Sequence, residues 1–201
     1  MILVGRLPSP FVRRTAVLLD LLGQPFELRP LSAFNDKAAL RAINPLGRVP
    51  ALIEGERTLV DSVAIAMMLC DRYDLNGHFL PRGGSAMADA MQLLFLANGT
   101  LEKFVAGYYE RTRRPAEKVH EPWVEHCWGQ ASGGLAALER SAQALAESEE
   151  APTYNHIAIA TMTSFFRRLE PTFYIVDRYP RLERIRQRCE AIDAFARYPA
   201  T

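Results

Sequence analysis

Three short stretches of the chain carry side chains whose types and spacing suit chemistry. The first is Ser9-Pro10-Phe11-Val12, between an apolar run and a helical pattern. Ser is a favoured N-cap, and Pro suits the first helical turn. A helix start also presents unpaired N–H groups and the positive end of a dipole, a setting that suits a thiolate or a carboxylate. A Ser hydroxyl there can donate a hydrogen bond to a bound thiolate. The second stretch is Asn44-Pro45-Leu46-Gly47-Arg48-Val49-Pro50. Pro cannot donate to a strand ladder, so Pro50 belongs at a strand start. A cis bond before it would turn the backbone of Val49 toward a peptide-like ligand. The third is Asp61-Ser62 at another helix start. Its plain reading is a cap. Its chemical reading is a clamp: the Ser62 hydroxyl and helix N–H groups hold a carboxylate while Asp61 pairs with an ammonium, the two needs of an amino-acid head group.

These stretches need elements to position them. Residues 2–5 are a short apolar run that reads as a strand, ended by Leu7-Pro8-Ser9-Pro10. A helical pattern follows from Phe11 to Leu22, and Gly23 ends it. Residues 26–31 read as a strand and 36–43 as a short helix. Residues 49–53 and 58–60 flank Glu54-Gly55-Glu56-Arg57 as a hairpin. Residues 61–73 are helical again. The order is β-α-β-α-β-β-α, with parallel first strands and an antiparallel hairpin. That is a thioredoxin-like layout, which places this domain at residues 1–76. Redox members of such folds carry Cys at the first helix turn, where this chain has Ser9 and Val12, so dithiol exchange is excluded there. Residues 77–85, rich in Gly and Pro, read as a linker. Residues 86–201 read as all-α, with helices over 86–113, 117–147, 153–169 and 182–195.

Composition narrows the classes. The 201 residues carry 24 basic and 23 acidic side chains, a net charge of +1, which argues against a nucleic-acid partner. No apolar run reaches the length of a membrane helix, and the N-terminus lacks a signal-peptide pattern, so a cytoplasmic protein is expected. Cys70, Cys127 and Cys189 are odd in number and widely spaced, which suits core positions rather than disulfides or a zinc set. Trp123, His126 and Trp128 have no metal-ligand spacing, and His78 and His120 have no partner pattern. No metal is expected.

The motifs at residues 9–13, 44–50 and 61–62 stand in the order and spacing of the cytosolic glutathione S-transferases. The chain resembles that family over nearly its whole length, and most resembles small bacterial members with a Ser-Pro-Phe turn. The resemblance implies glutathione as co-substrate, a homodimer, and attack of the glutathione thiolate on a small, mostly apolar electrophile in a detoxification-type reaction. By the same resemblance Ser9, or backbone N–H groups beside it, stabilises the thiolate. Val49 pairs with the cysteinyl unit before a cis-Pro50, and Asp61 with Ser62 holds the γ-glutamyl head. Arg48 either meets the glycyl carboxylate or is a solvated surface residue. The electrophile pocket would draw on Leu7 and Phe11 after the first strand, and on Phe104, Tyr108, Arg111 and Thr112 along one helix face. Ordinary packing is the competing reading for that face. Arg111, Arg113 and Arg114 read as a solvated helix end or as the mark of an acidic electrophile.

Two departures from the family pattern matter. The head-group acid is usually Glu, and Asp61 is shorter. The usual Ser/Thr-x-x-Asp capping box reads Thr153-Tyr154-Asn155-His156 here. A neutral His156 can accept the capping bond, whereas a protonated one opposes the helix dipole. Rival functions are a non-catalytic glutathione-fold binding module and a glutathione-dependent isomerase or dehalogenase on the same scaffold.

Overall fold

The computed structural model describes residues 1–200. Strand β1 (Ile2–Val4) is central in a four-stranded sheet of order β2-β1-β3-β4. It pairs parallel with β2 (Glu27–Arg29) and antiparallel with β3 (Ala51–Glu54). β3 turns into β4 (Arg57–Val60) with Ala51 opposite Val60 and Glu54 opposite Arg57. The two-residue turn works because Gly55 takes φ +58°, a conformation that side chains resist. The strands are shorter than the apolar runs at 26–31 and 49–53 suggest. Phe26 lies outside the ladder, and Pro50 ends it because it has no N–H to give.

Helix α1 (Pro10–Leu21) is buried on nearly every side from Val12 to Leu19. It packs against α3 (Ser62–Tyr73) and against α7 (Tyr154–Leu169) from the helical half of the chain. One hydrophobic cluster therefore runs from Leu3 and Leu52 through Val17 and Leu18 to Leu101, Ile157 and Phe166. Helix α2 (Lys37–Ile43) covers a smaller cluster of Val4, Leu40 and Ala51.

The second half is helical: α4 (Gly84–Arg113), α5 (Glu121–Ser141), α6 (Gln143–Glu147), α7, α8 (Pro180–Glu190) and α9 (Asp193–Arg197). Two predicted helices are each divided. The 117–147 pattern splits into a 3-10 turn at Ala116–Lys118, then α5, then α6 after a break at Ala142. The 182–195 pattern begins two residues earlier at Pro180, whose fixed φ suits a first helical position, and breaks at Ala191-Ile192 before α9. Helices α4 and α5 approach closely at Gly107, where an added Cβ would meet Trp128 Nε1 at 2.5 Å. No helix among the described residues is long and apolar enough to cross a membrane.

Candidate functional site

The turn Arg6-Leu7-Pro8-Ser9 closes with a hydrogen bond from Ser9 N–H to Arg6 C=O at 3.0 Å. Ser9 is the N-cap of α1 in extended conformation, yet its hydroxyl makes no capping bond. Pro10 has no N–H, and the Arg13 N–H is already taken by Ser9 C=O at 2.9 Å. That leaves the N–H groups of Phe11 and Val12 as the orphan donors of this helix start. The Ser9 hydroxyl and these donors sit at the positive end of α1. Gly5 makes the crowding possible: at φ +136° a Cβ there would meet Val12 Cγ2 at 2.5 Å and Val49 Cβ at 3.0 Å.

The Val49–Pro50 peptide bond is cis. The loop before it is built on buried Asn44, which donates to Arg48 C=O at 2.7 Å and accepts from Leu46 N–H at 3.0 Å. Arg48 is exposed and pairs with Glu102 on α4 at 2.9 Å.

Asp61 stands at φ +69°, ψ +131°, a region few side chains adopt and one that costs about 1–3 kcal/mol. That conformation lets Asp61 Oδ1 accept from Val63 N–H at 2.8 Å and cap α3. Ser62 is buried, and its Oγ accepts from Arg14 Nη2 at 2.6 Å. The Ser62 hydroxyl proton is thereby directed away from Arg14. Arg14, 1% exposed, also donates to Asn98 at 2.7 Å and lies over the Phe11 ring at 4.9 Å. It meets no carboxylate among the described residues. Sequence reading did not reach Arg14. Its one signal is a pair of basic residues, Arg13-Arg14, inside a helix that is otherwise mostly apolar.

Two adjoining hollows gather these groups. The smaller, about 50 Å³, is lined by Arg48, Val49, Pro50, Asp61 and Ser62 with Phe11 and Asn44. The larger, about 270 Å³, is lined by Ser9, Phe11 and Val49 from the sheet half, and by Val105, Tyr108, Tyr109 and Phe165 from α4 and α7. Phe11 and Val49 wall both. Phe34 from the loop after β2 meets Tyr109 edge-to-face at 5.1 Å. Arg168 Nη2 donates to Pro8 C=O at 3.0 Å, so α7 steadies the turn that carries Ser9.

The predicted electrophile residues are divided. Phe11 and Tyr108 line the larger hollow. Leu7 packs against the main core instead. Phe104 is fully buried in an aromatic cluster, 4.4 Å from Phe166 and 5.8 Å from Trp128 between ring centres. Arg111 turns outward to pair with Glu121 at 2.8 Å and covers the Trp128 ring. Thr112 is exposed and spends its hydroxyl on Tyr108 C=O, 2.7 Å away. Helical spacing put these residues on one face, but α5 covers part of that face, so only the portion toward α7 stays open. Arg6, Phe34, Val105, Tyr109, Phe165 and Arg168 come to the hollow through the tertiary fold, and no local spacing marks them.

The three cysteines are buried thiols. Burial, aided by Asp74, pushes Cys70 up to about 12, and burial does the same to Cys189. No grouping of three metal-ligating side chains occurs among the described residues.

Residues 3–77 match the family model described as the N-terminal domain of glutathione S-transferase. A zeta-class glutathione S-transferase of Euphorbia esula is 31% identical over 137 residues, 65% of this chain but only 58% of its own length. An uncharacterized GST-like protein of Escherichia coli K12, YibF, is 29% identical over 199 residues, covering 97% of this chain and 96% of its own. The crystal structure of a glutathione transferase family member from Pseudomonas fluorescens Pf-5, with bound glutathione, aligns at a TM-score of 0.87 and 27% identity, over 98% of this chain and 97% of that one. The matched segment, residues 3–77, makes the sheet half a glutathione S-transferase N-terminal domain, and the solved structure follows the chain on through its helices, so the whole has the glutathione S-transferase fold.

Proposed function

We propose that the chain binds glutathione across the two hollows and transfers its thiolate to a small electrophile with an apolar body. The γ-glutamyl head sits at Asp61 and Ser62, the cysteinyl unit lies along Val49, and the thiol reaches the start of α1. The observation that carries this reading is the unused donor set at that helix start: a Ser9 hydroxyl free of any capping bond, beside the orphan N–H groups of Phe11 and Val12, with Ser9 and Phe11 lining the larger hollow. Donors fixed in place before the ligand arrives favour the anionic form of a bound thiol without reorganising. A free cysteine thiol titrates near 8.5, so lowering that value raises the nucleophile population at neutral pH. The second substrate, held in the larger hollow, gains from proximity to the sulfur.

The test is a pH titration of the thiolate absorbance of protein-bound glutathione. The wild type is expected to hold the thiol well below its free value, and Ser9→Ala to raise it by about 1 unit, the equivalent of one hydrogen bond to a charged group. An unchanged titration in Ser9→Ala assigns the role to the Phe11 and Val12 N–H groups. A wild-type thiol that titrates as in free solution rejects the thiolate site altogether.

A further inference from the structure

Three guanidinium groups line the larger hollow, and no carboxylate does. Arg6 comes from the turn after β1, Arg113 from the last turn of α4, and Arg168 from the last turn of α7. None of the three meets a carboxylate among the described residues. Their neighbours do: Arg111 is paired with Glu121 at 2.8 Å and Arg114 with Glu110 at 2.6 Å. Of the basic run at the end of α4, Arg113 alone is left facing the hollow.

The unpaired groups are held in place. Arg113 lies 3.9 Å from the centre of the Phe34 ring. Arg168 lies over Phe165 at 5.6 Å and spends one N–H on Pro8 C=O. A guanidinium has five N–H donors in a planar fork, so most of each remains unspent. Burial lowers the Arg168 pKa, the direction set by a cation removed from water without a counter-ion. Planar forks with aromatic backing and open donors match a carboxylate better than any neutral group. Ser9 lines the same hollow, so a molecule anchored there faces the helix start.

We infer that the second substrate is anionic: an electrophile whose apolar body lies against Tyr108 and Phe165 and whose carboxylate is held by Arg113 and Arg168. This rests on the reading of the α1 start as a thiolate site. For an aryl chloride the step balances simply. The thiol proton has left for solvent, the sulfur forms a bond to the chlorine-bearing carbon, and chloride departs with the electron pair of the broken bond.

The test uses a chlorodinitrobenzoate and its methyl ester, together with the glutathione conjugates of both. Conjugate affinity is read by calorimetry and turnover by absorbance. The wild type is expected to bind the carboxylate conjugate roughly ten-fold or more tightly than the ester conjugate, the scale of a charge-assisted hydrogen bond. Arg113→Gln, at an exposed position, is expected to remove most of that preference, and Arg168→Gln to reduce it. Taking the ratio to the ester cancels any general loss from disturbing Pro8. Equal affinity for the two conjugates, or a preference unchanged in both variants, overturns the anion site. Carboxylate preference without turnover of either parent compound refutes the transferase reading and leaves the anion site standing. Turnover without preference does the reverse, and failure of both conjugates to bind refutes both.

Discussion

At the scale of single residues, the proposed head-group end depends on Arg14 of α1, 48 residues before Ser62 in the chain. Ser62 accepts from Arg14, so its own proton is free for a ligand carboxylate, and the buried guanidinium behind it adds positive potential where that carboxylate arrives. A buried cation without a carboxylate partner is costly unless something anionic comes close. Ser62→Ala is expected to weaken glutathione binding by about 1–3 kcal/mol, the range for hydrogen bonds to charged groups. The check is the dissociation constant by titration, and an unchanged value rejects the head-group assignment. By its sequence position Asp61 is expected to pair with an ammonium. In the fold one of its oxygens caps α3, leaving the other for a ligand. The cap rewards a non-glycine residue for standing at φ +69°. Arg14 shows the limit of local reading. Its type is visible in the sequence, but its role exists only because α1 packs against α3 and α4.

At the scale of elements, the start of α7 carries an acid-sensitive cap. His156 Nδ1 accepts from Thr153 N–H at 3.1 Å, and its Nε2 faces Leu145 C=O at 3.0 Å, which fixes the neutral tautomer with the proton on Nε2. Burial lowers the His156 pKa below the ordinary 6.5, the Leu145 carbonyl opposes that shift, and Arg188 and His78 add to it. A lowered base binds its proton less readily in the folded state than in the unfolded one. Its contribution is therefore complete above 6.5 and is lost as the pH falls from there toward the lowered folded value. Denaturant unfolding is expected to show a stability loss as the pH falls below 6.5 that His156→Ala largely removes. A wild-type slope retained in His156→Ala would assign the acid sensitivity elsewhere.

The same scale shows what the sequence could and could not convey. Gly23, Gly55, Pro10 and Pro50 punctuate the first half, and the β-α-β-α-β-β-α order follows from them because each fixes a turn, a cap or a strand end. The stretch from residue 131 to 147 is rich in Ala and Leu with no Gly or Pro after Gly134. Its break at Ala142 therefore leaves no local mark. Packing decides that break, as it decides that Phe104 goes to the core while Tyr108, one turn on, reaches the hollow.

At the scale of the whole molecule, the two halves are joined through α1. Buried Arg13 donates to both oxygens of Glu190 at 2.6 and 2.7 Å and to the backbone of Phe195 and Tyr198, tying the C-terminal segment to the helix that starts at the site. Burial alone would raise the Glu190 pKa, but the hydrogen bonds from Arg13 and Ser164 hold it below the usual carboxylate range. Glu190→Gln leaves the Arg13 charge buried without its partner. It is expected to destabilise the protein by about 3 kcal/mol, the low end for breaking a buried pair, because the two carbonyls remain. Chemical denaturation measures this, and a loss under about 0.5 kcal/mol, the scale of an ordinary surface substitution, would show that the clamp carries no weight.

The proposed function places glutathione across the two hollows with its sulfur at the start of α1. The most direct measurement is a calorimetric titration of reduced glutathione into the wild-type protein. Saturable binding at one molecule per chain, weakened in Ser62→Ala, is the predicted result. A folded protein that takes up no glutathione at millimolar concentration would contradict the assignment of Asp61, Ser62, Val49 and Ser9 to a single ligand.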